Sequence, residues 1–221
     1  MDRNSNSAFT KVITTVALLS CSLAFSATPP PPGPPYDAIT WPMSMRQAPS
    51  ESISLGDFRI VYTKTTLETV ITTVGAGSIS YAGDGAEAES WLCYSIAKPH
   101  RFERFWLMSN LEMDGRTNAI SMVKAAIQST SIGSEDCPPL PTRFVPVSLN
   151  TKLWLGSTTK TLVSHLGSPS HVARPWLNYE FQTKVAGDGK CEGGYDRINS
   201  LDVKISDGIV VALSTDEVTS C

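Results

Sequence analysis

The sequence predicts an α+β protein of two repeats, each a short helix plus a small antiparallel sheet, the two forming one extended sheet with helices on one face. Three observations predict it. A Thr-rich helical stretch ending in glycine occurs twice, a Trp-Leu-x-Tyr strand follows each time, and an Asp-Gly turn closes each copy. One helix with one small sheet buries little alone, so the two copies are expected to share a core.

In the later copy, Ser157 to Gly167 reads as the helix. Ser157 has the hydroxyl of an N-cap, Leu162, Val163 and Leu166 share a face, and Gly167 followed by Pro169 ends the element. Trp176 to Phe181 alternates as a half-buried strand should, and so do Leu201, Val203 and Ile205. Asp207-Gly208 is a hairpin signal, with the return strand over Ile209 to Leu213.

The earlier copy repeats the pattern over Asp57 to Val123. Thr65 and Glu68 have capping-box spacing, and Leu67, Val70, Ile71 and Val74 form the apolar face. Thr66, Thr69, Val70, Val74 and Gly75 align with Thr158, Thr161, Leu162, Leu166 and Gly167. Trp91-Leu92-Cys93-Tyr94 matches Trp176-Leu177-Asn178-Tyr179. Phe105 to Leu107 matches the Leu201 strand, Asp114-Gly115 matches the turn, and Asn118 to Val123 is the last strand. Asp57 to Tyr62 is a strand leading into the first helix.

The expected organisation is an export signal over 1–26 (or a lipoprotein signal ending at 20), a Pro-rich linker over 27–50, repeat one over 51–136, a linker over 137–150 and repeat two over 151–221. Arg3 and Lys11 start the signal, the apolar run begins at Val12, and Ala24-Phe25-Ser26 suits cleavage after Ser26. Leu18-Leu19-Ser20-Cys21 also fits a lipobox, which makes Cys21 a lipidation candidate, and both readings carry the chain across a membrane. Pro29 to Pro35 reads as an extended spacer. A net charge of −3 without a basic, aromatic-interleaved patch argues against nucleic acid as a partner.

Beyond Cys21, four cysteines remain: Cys93, Cys137, Cys191 and Cys221. Three pairings are open; Cys93–Cys137 with Cys191–Cys221 is favoured because each bridge closes a loop inside one copy. The sequence has no Cys-x-x-Cys and no histidine at ligand spacing to a cysteine, so no metal and no cofactor is expected. No nucleophile-elbow, zinc-protease or paired-carboxylate motif is present, and no catalytic residue is assigned. Gly75-Ala76-Gly77 lacks the lysine of a phosphate loop, Tyr81 to Glu89 reads as a solvated acidic loop, and His171 falls in a loop.

Strand parity then selects a surface. If Leu92, Tyr94, Phe105, Leu107, Tyr179 and Leu201 face the helices, Trp91, Trp106, Met108, Arg104, Trp176 and Asn178 face the other way. Three tryptophans with an Arg and a Met have the composition of a protein-binding hot spot.

The run Leu155-Gly156-Ser157-Thr158, then Leu166 to Ser170, then Trp176 to Tyr179, then the strand pair about Asp207-Gly208, resembles the small outer-membrane lipoprotein (SmpA/OmlA) fold. Duplicated and disulfide-bonded, it resembles the tandem-repeat β-lactamase inhibitory protein-like form of that fold, over about two thirds of the chain. The resemblance implies two repeats with an aromatic sheet that binds an enzyme. The expected function is an exported protein-binding module, of inhibitor or immunity type, acting on a periplasmic or secreted enzyme. The alternatives are an outer-membrane lipoprotein of envelope or barrel assembly and a periplasmic enzyme. The expected partner is thus another protein, with contact to the membrane only through a lipid on Cys21.

Overall fold

The computed structural model describes residues 29–31, 45–83, 88–110, 119–128, 137–187 and 193–220. The N-terminal signal with Cys21, most of the proline run, Asp84, Glu87, the Asp114-Gly115 turn, Cys191 and Cys221 lie outside them.

Two eight-residue helices start the two halves. α1 (Leu67–Val74) is capped by Thr66, whose hydroxyl accepts from Thr69 N–H, and α2 (Thr159–Leu166) by Thr158, which accepts from Thr161 N–H. The caps therefore fall on residues that the sequence alignment had paired, and they correct the reading of Ser157 and Thr65 as caps. Ser157 Oγ instead accepts from Trp154 N–H, and Thr65 Oγ1 from Val61 N–H. Each cap satisfies an amide that the first helical turn leaves free, worth roughly 1 kcal/mol. At the other end, Gly75 and Gly167 donate to Ile71 O and Val163 O. A φ of +80° at Gly75 is a conformation that a side chain would disfavour.

Strands make up most of the rest: β1 (Ser52–Leu55), β2 (Phe58–Val61), β3 (Ser80–Ala82), β4 (Glu89–Lys98), β5 (Arg101–Asn110), β6 (Met122–Gln128), β7 (Val147–Leu149), β8 (His171–Ala173), β9 (Trp176–Val185), β10 (Tyr195–Ser206) and β11 (Ile209–Ser220). One sheet has eight strands in the order β3-β4-β5-β6-β11-β10-β9-β8, and a second has three, β2-β1-β7. All neighbours are antiparallel. Read inward from either edge, the large sheet gives a short strand, two long ones and a return strand, and the halves meet at β6–β11. Thr66 bridges Ala119 in the first half, and Thr158 bridges Ile209 in the second. The Asp207-Gly208 turn has φ of 49° and 75°, the positive pair that a two-residue hairpin of this twist requires.

The expected fold class is overturned. Of the described residues, 53% lie in strands and 12% in helices, so the protein is mostly β. Each half does not keep a small sheet to itself, and β1, β2 and β7 form a separate sheet. The physical reason is strand length. A strand continues while a neighbour offers partners, and β10 offers them as far as Ser220, so β11 runs well beyond Leu213 where the sequence pattern stops. The last strand of the first half is Met122–Gln128, later than the expected Asn118 to Val123. β3 and β8 form inside stretches read as loops, and β1 and β7 went unread. Each of these four is at most four residues long, too short to show a period.

The main core lies between the helices, the small sheet and one face of the large sheet. Leu67, Val70 and Leu162 share a cluster with Ile53, Leu149, Leu92, Phe105, Val123, Leu201 and Leu213. Burying each such side chain contributes roughly 1.5–3 kcal/mol. Trp154 joins them edge-on to Phe105, and its Nε1–H donates to Glu103 Oε2 at 3.1 Å. Arg101 closes that pin with a 2.7 Å ion pair to Glu103.

Tyr94 and Tyr179, the tyrosines of the two Trp-Leu-x-Tyr strands, are both fully buried, and burial pushes each phenol up to about 12. Their hydroxyls differ. Tyr94 donates to Ala76 O at 2.8 Å, whereas Tyr179 Oη has no hydrogen-bond partner among the described residues. Tyr94→Phe should therefore cost about 1–2 kcal/mol, and Tyr179→Phe should be neutral or stabilising. Urea unfolding of both variants checks this; equal losses would contradict it.

Candidate functional site on the outer sheet face

Directly paired residues in an antiparallel ladder share a face. The face turned away from the helices therefore carries three rows across the large sheet. One is Trp176–Lys204–Ala212–Ala126–Arg104–Ser95. The next is His171–Asn178–Asp202–Ser214–Lys124–Trp106–Cys93. The third is Glu180–Ser200–Asp216–Met122–Met108–Trp91–Ser80. The six side chains singled out by sequence parity, Trp91, Arg104, Trp106, Met108, Trp176 and Asn178, all stand on this face.

Standing on one face does not leave them uncovered, and here the expectation of an open aromatic surface is corrected. Trp91 is 4% exposed, Trp106 1%, Met108 1%, Arg104 7% and Asn178 4%. In the first half Cys137, disulfide-bonded to Cys93 with a Cα–Cα distance of 4.6 Å, packs in one buried cluster with Trp91, Trp106 and Met108. Beside it, Ser95 N–H donates to Pro138 O and accepts at its carbonyl from Leu140 N–H. The 137–140 segment thus fills the edge of β4 beyond the end of β3 and brings Cys137 beneath the sheet. A bare sheet edge over large apolar side chains invites association, and this segment occupies that edge at Ser95. The favoured pairing of Cys93 with Cys137 is present; Cys191 and Cys221 lie outside the described residues.

The second half differs. Trp176 is only half-buried. It stands in a cleft of about 380 Å3 whose walls include Lys124, Lys204, Ala126, Ala212 and Pro31. Beyond the cleft the face turns acidic. Asn178 donates to Asp202 at 3.0 Å, and Ser200 Oγ donates to Asp216. Burial raises the Asp216 carboxyl above its ordinary range, with nearby Asp202 adding to the rise. Glu180 is raised by burial first, then by the charges of Asp216 and Asp202. No group of three or more His, Cys, Asp or Glu among the described residues is arranged to hold a metal ion.

The sign of that perturbation is testable. A raised carboxyl binds its proton more readily in the folded state than in the unfolded one, so stability is lost as pH climbs from the ordinary carboxylate range through the raised values. Glu180→Gln with Asp216→Asn removes this loss. The double variant should unfold at a higher temperature than the parent at about pH 8, and the gap should close towards about pH 4. A gap that is constant with pH would contradict the assignment.

Several residues of this face were not singled out from the sequence. Asp202 and Lys204 were legible, since they alternate with Leu201, Val203 and Ile205. Lys124 and Asp216 were not, because the expected strands stopped at Val123 and Leu213, one and three residues short.

Fold and face together define a mostly β protein with one eight-stranded antiparallel sheet, sealed on its outer side in one half and partly accessible in the other. Comparison with family models, curated proteins and solved structures finds no match.

Proposed function

We propose that this chain is an exported protein-binding module that docks a protein partner on the outer face of the second half of its sheet, around Trp176. One observation carries the reading. Trp176 is the outer-face tryptophan left half-buried, with Lys124 and Lys204 beside it, while Trp91 and Trp106 are buried in a cluster with Cys137. An amphipathic ring flanked by cations and rimmed by carboxylates is the composition of an interface hot spot with a polar surround. The binding residues are then Trp176 with Lys124 and Lys204, and the other sequence-selected residues hold the sheet that presents them.

Export is supported by the Cys93–Cys137 disulfide, which suits an oxidising compartment, and by the signal-like N-terminus. Among the described residues, no helix is long and apolar enough to cross a membrane. The partner class favoured by the resemblance is a periplasmic or secreted enzyme, with this chain as inhibitor or immunity protein. An envelope-assembly lipoprotein is the second reading, favoured by Leu18-Leu19-Ser20-Cys21. A catalytic reading has less behind it, because Glu180, Asp202 and Asp216 are not among the residues lining the cleft.

The test is affinity capture from envelope extract with the parent chain and with Trp176→Ala. A partner retained by the parent and weakened at least tenfold by the variant, about 1.4 kcal/mol or more, supports docking at Trp176. A partner held equally by both would remove it. Lipid incorporation that depends on Cys21, with outer-membrane fractionation, would favour the assembly reading.

A further inference from the structure

We infer that the cleft around Trp176 is a groove for an extended proline-rich segment, and that the start of the chain's own proline run, Pro29 to Pro31, docks along it. The inference builds on the face proposed above and names what already sits there.

Pro31 forms part of the cleft wall, Pro30 and Pro31 are both partly buried, and Lys124 Nζ donates to Pro31 O at 3.4 Å. These prolines precede β1 by some twenty positions, yet they lie on the sheet rather than away from it. The chemistry of the two sides matches. Proline fixes φ near −65° and carries no amide hydrogen, so a proline run is extended and its carbonyls make no internal hydrogen bonds. Such a run asks for a flat apolar wall and for side-chain donors to its carbonyls. Trp176 supplies the wall, Lys124 and Lys204 supply donors, and the small side chains of Ala126 and Ala212 leave room between them.

Charge narrows the choice of ligand. An acidic peptide would meet the two lysines, but Asp202 follows Lys204 by one row on the same strand, and Glu180 and Asp216 lie one row further. A proline run is uncharged and meets no such opposition. Pairing within one chain also suits a weak groove. Only a short stretch separates Pro31 from the start of the sheets, which gives an effective concentration on the order of millimolar. Cleavage after Ser26, one of the two readings of the leader, would place the run near a free N-terminus. The run then competes with a partner for this face, and a partner binds to the extent that it displaces the prolines.

The experiment uses the purified exported protein labelled with 5-fluorotryptophan, the Trp176 resonance being assigned by Trp176→Phe. Replacing Pro29, Pro30, Pro31 and Pro32 with glycine should move the Trp176 resonance and increase its solvent isotope shift. The resonances of Trp91, Trp106 and Trp154 should stay in place, which reports that the fold is intact. A synthetic peptide of residues 28–36 should return Trp176 of the glycine variant to its original position. Lys124→Ala in that background should weaken the peptide at least tenfold. A Trp176 resonance indifferent to the glycine replacements, or to the peptide, overturns the inference. So does a peptide that shifts Trp176 equally well in the unaltered protein, since the groove would then be empty in the parent. If Trp176→Ala loses its partner while the glycine variant leaves Trp176 unmoved, this inference falls and the docking face stands. If Trp176 answers to the proline run but no partner depends on it, the docking face falls alone.

Discussion

Trp106→Ala should destabilise the protein by about 3–5 kcal/mol, the range for deleting a large aromatic from a packed interior. Trp106 is 1% exposed, pairs with Cys93 and Lys124 across the sheet, and packs in one cluster with Trp91, Met108 and Cys137. Its neighbours are held by a disulfide and by long strands, so the cavity left behind can collapse little. Trp176→Ala should cost far less, because that ring is half-buried at a cleft edge. The pair of variants separates structure from recognition. Trp106→Ala should lower the denaturant midpoint while its folded fraction still captures partner. Trp176→Ala should keep the midpoint within a narrow margin and lose capture. Equal destabilisation by the two would mean that the outer face is sealed throughout and that Trp176 is one more packing residue.

Cys93→Ala with Cys137→Ala should cost about 4 kcal/mol, taking the chain-entropy treatment for a bridge that spans 44 residues. Much of that acts on the unfolded chain, but the native state also loses something specific. Cys137 packs in one buried cluster with Trp91 and Met108. Freed from β4, the 137–140 segment keeps the backbone bonds at Ser95, the Ser95 Oγ donation to Cys137 O and the packing of Leu140 in the main core. Thermal unfolding with and without reductant makes the comparison. Reductant should lower the midpoint of the parent by many degrees and leave the double variant nearly unaffected. Tryptophan emission of the reduced parent should shift to the red as water reaches Trp91. An unchanged midpoint in the parent would show that the bridge contributes nothing to the folded protein.

Much of the local structure was legible from particular residues. Gly75 and Gly167 end the helices, Asp207-Gly208 makes the turn, and the Trp-Leu-x-Tyr segments lie at the starts of long strands with their tyrosines inward. Those signals are local: a positive φ, a capping hydroxyl or a period of two is written in neighbouring residues. The fold class was misread because strand length is not local. Asp216 and Glu217 belong to β11 since β10 offers Ser200 and Asn199 as partners, and nothing within the 214–220 stretch alone says so. Glu217 even stands on the inner side, where Asn199 Nδ2 and Thr63 Oγ1 donate to it.

The candidate site divides along the same line. The sequence by itself determined which of the six selected side chains share a face, because alternation is a property of the extended backbone and holds wherever no bulge interrupts the strand. It also favoured the pairing of Cys93 with Cys137, which the structure contains. Only the tertiary structure decided which part of that face is accessible, because distant segments pack on it: Cys137 against Trp91 and Trp106, and Pro31 beside Trp176. Whether an aromatic ring is core or contact depends on what the rest of the chain brings to it, and that is a long-range fact that a strand pattern does not contain.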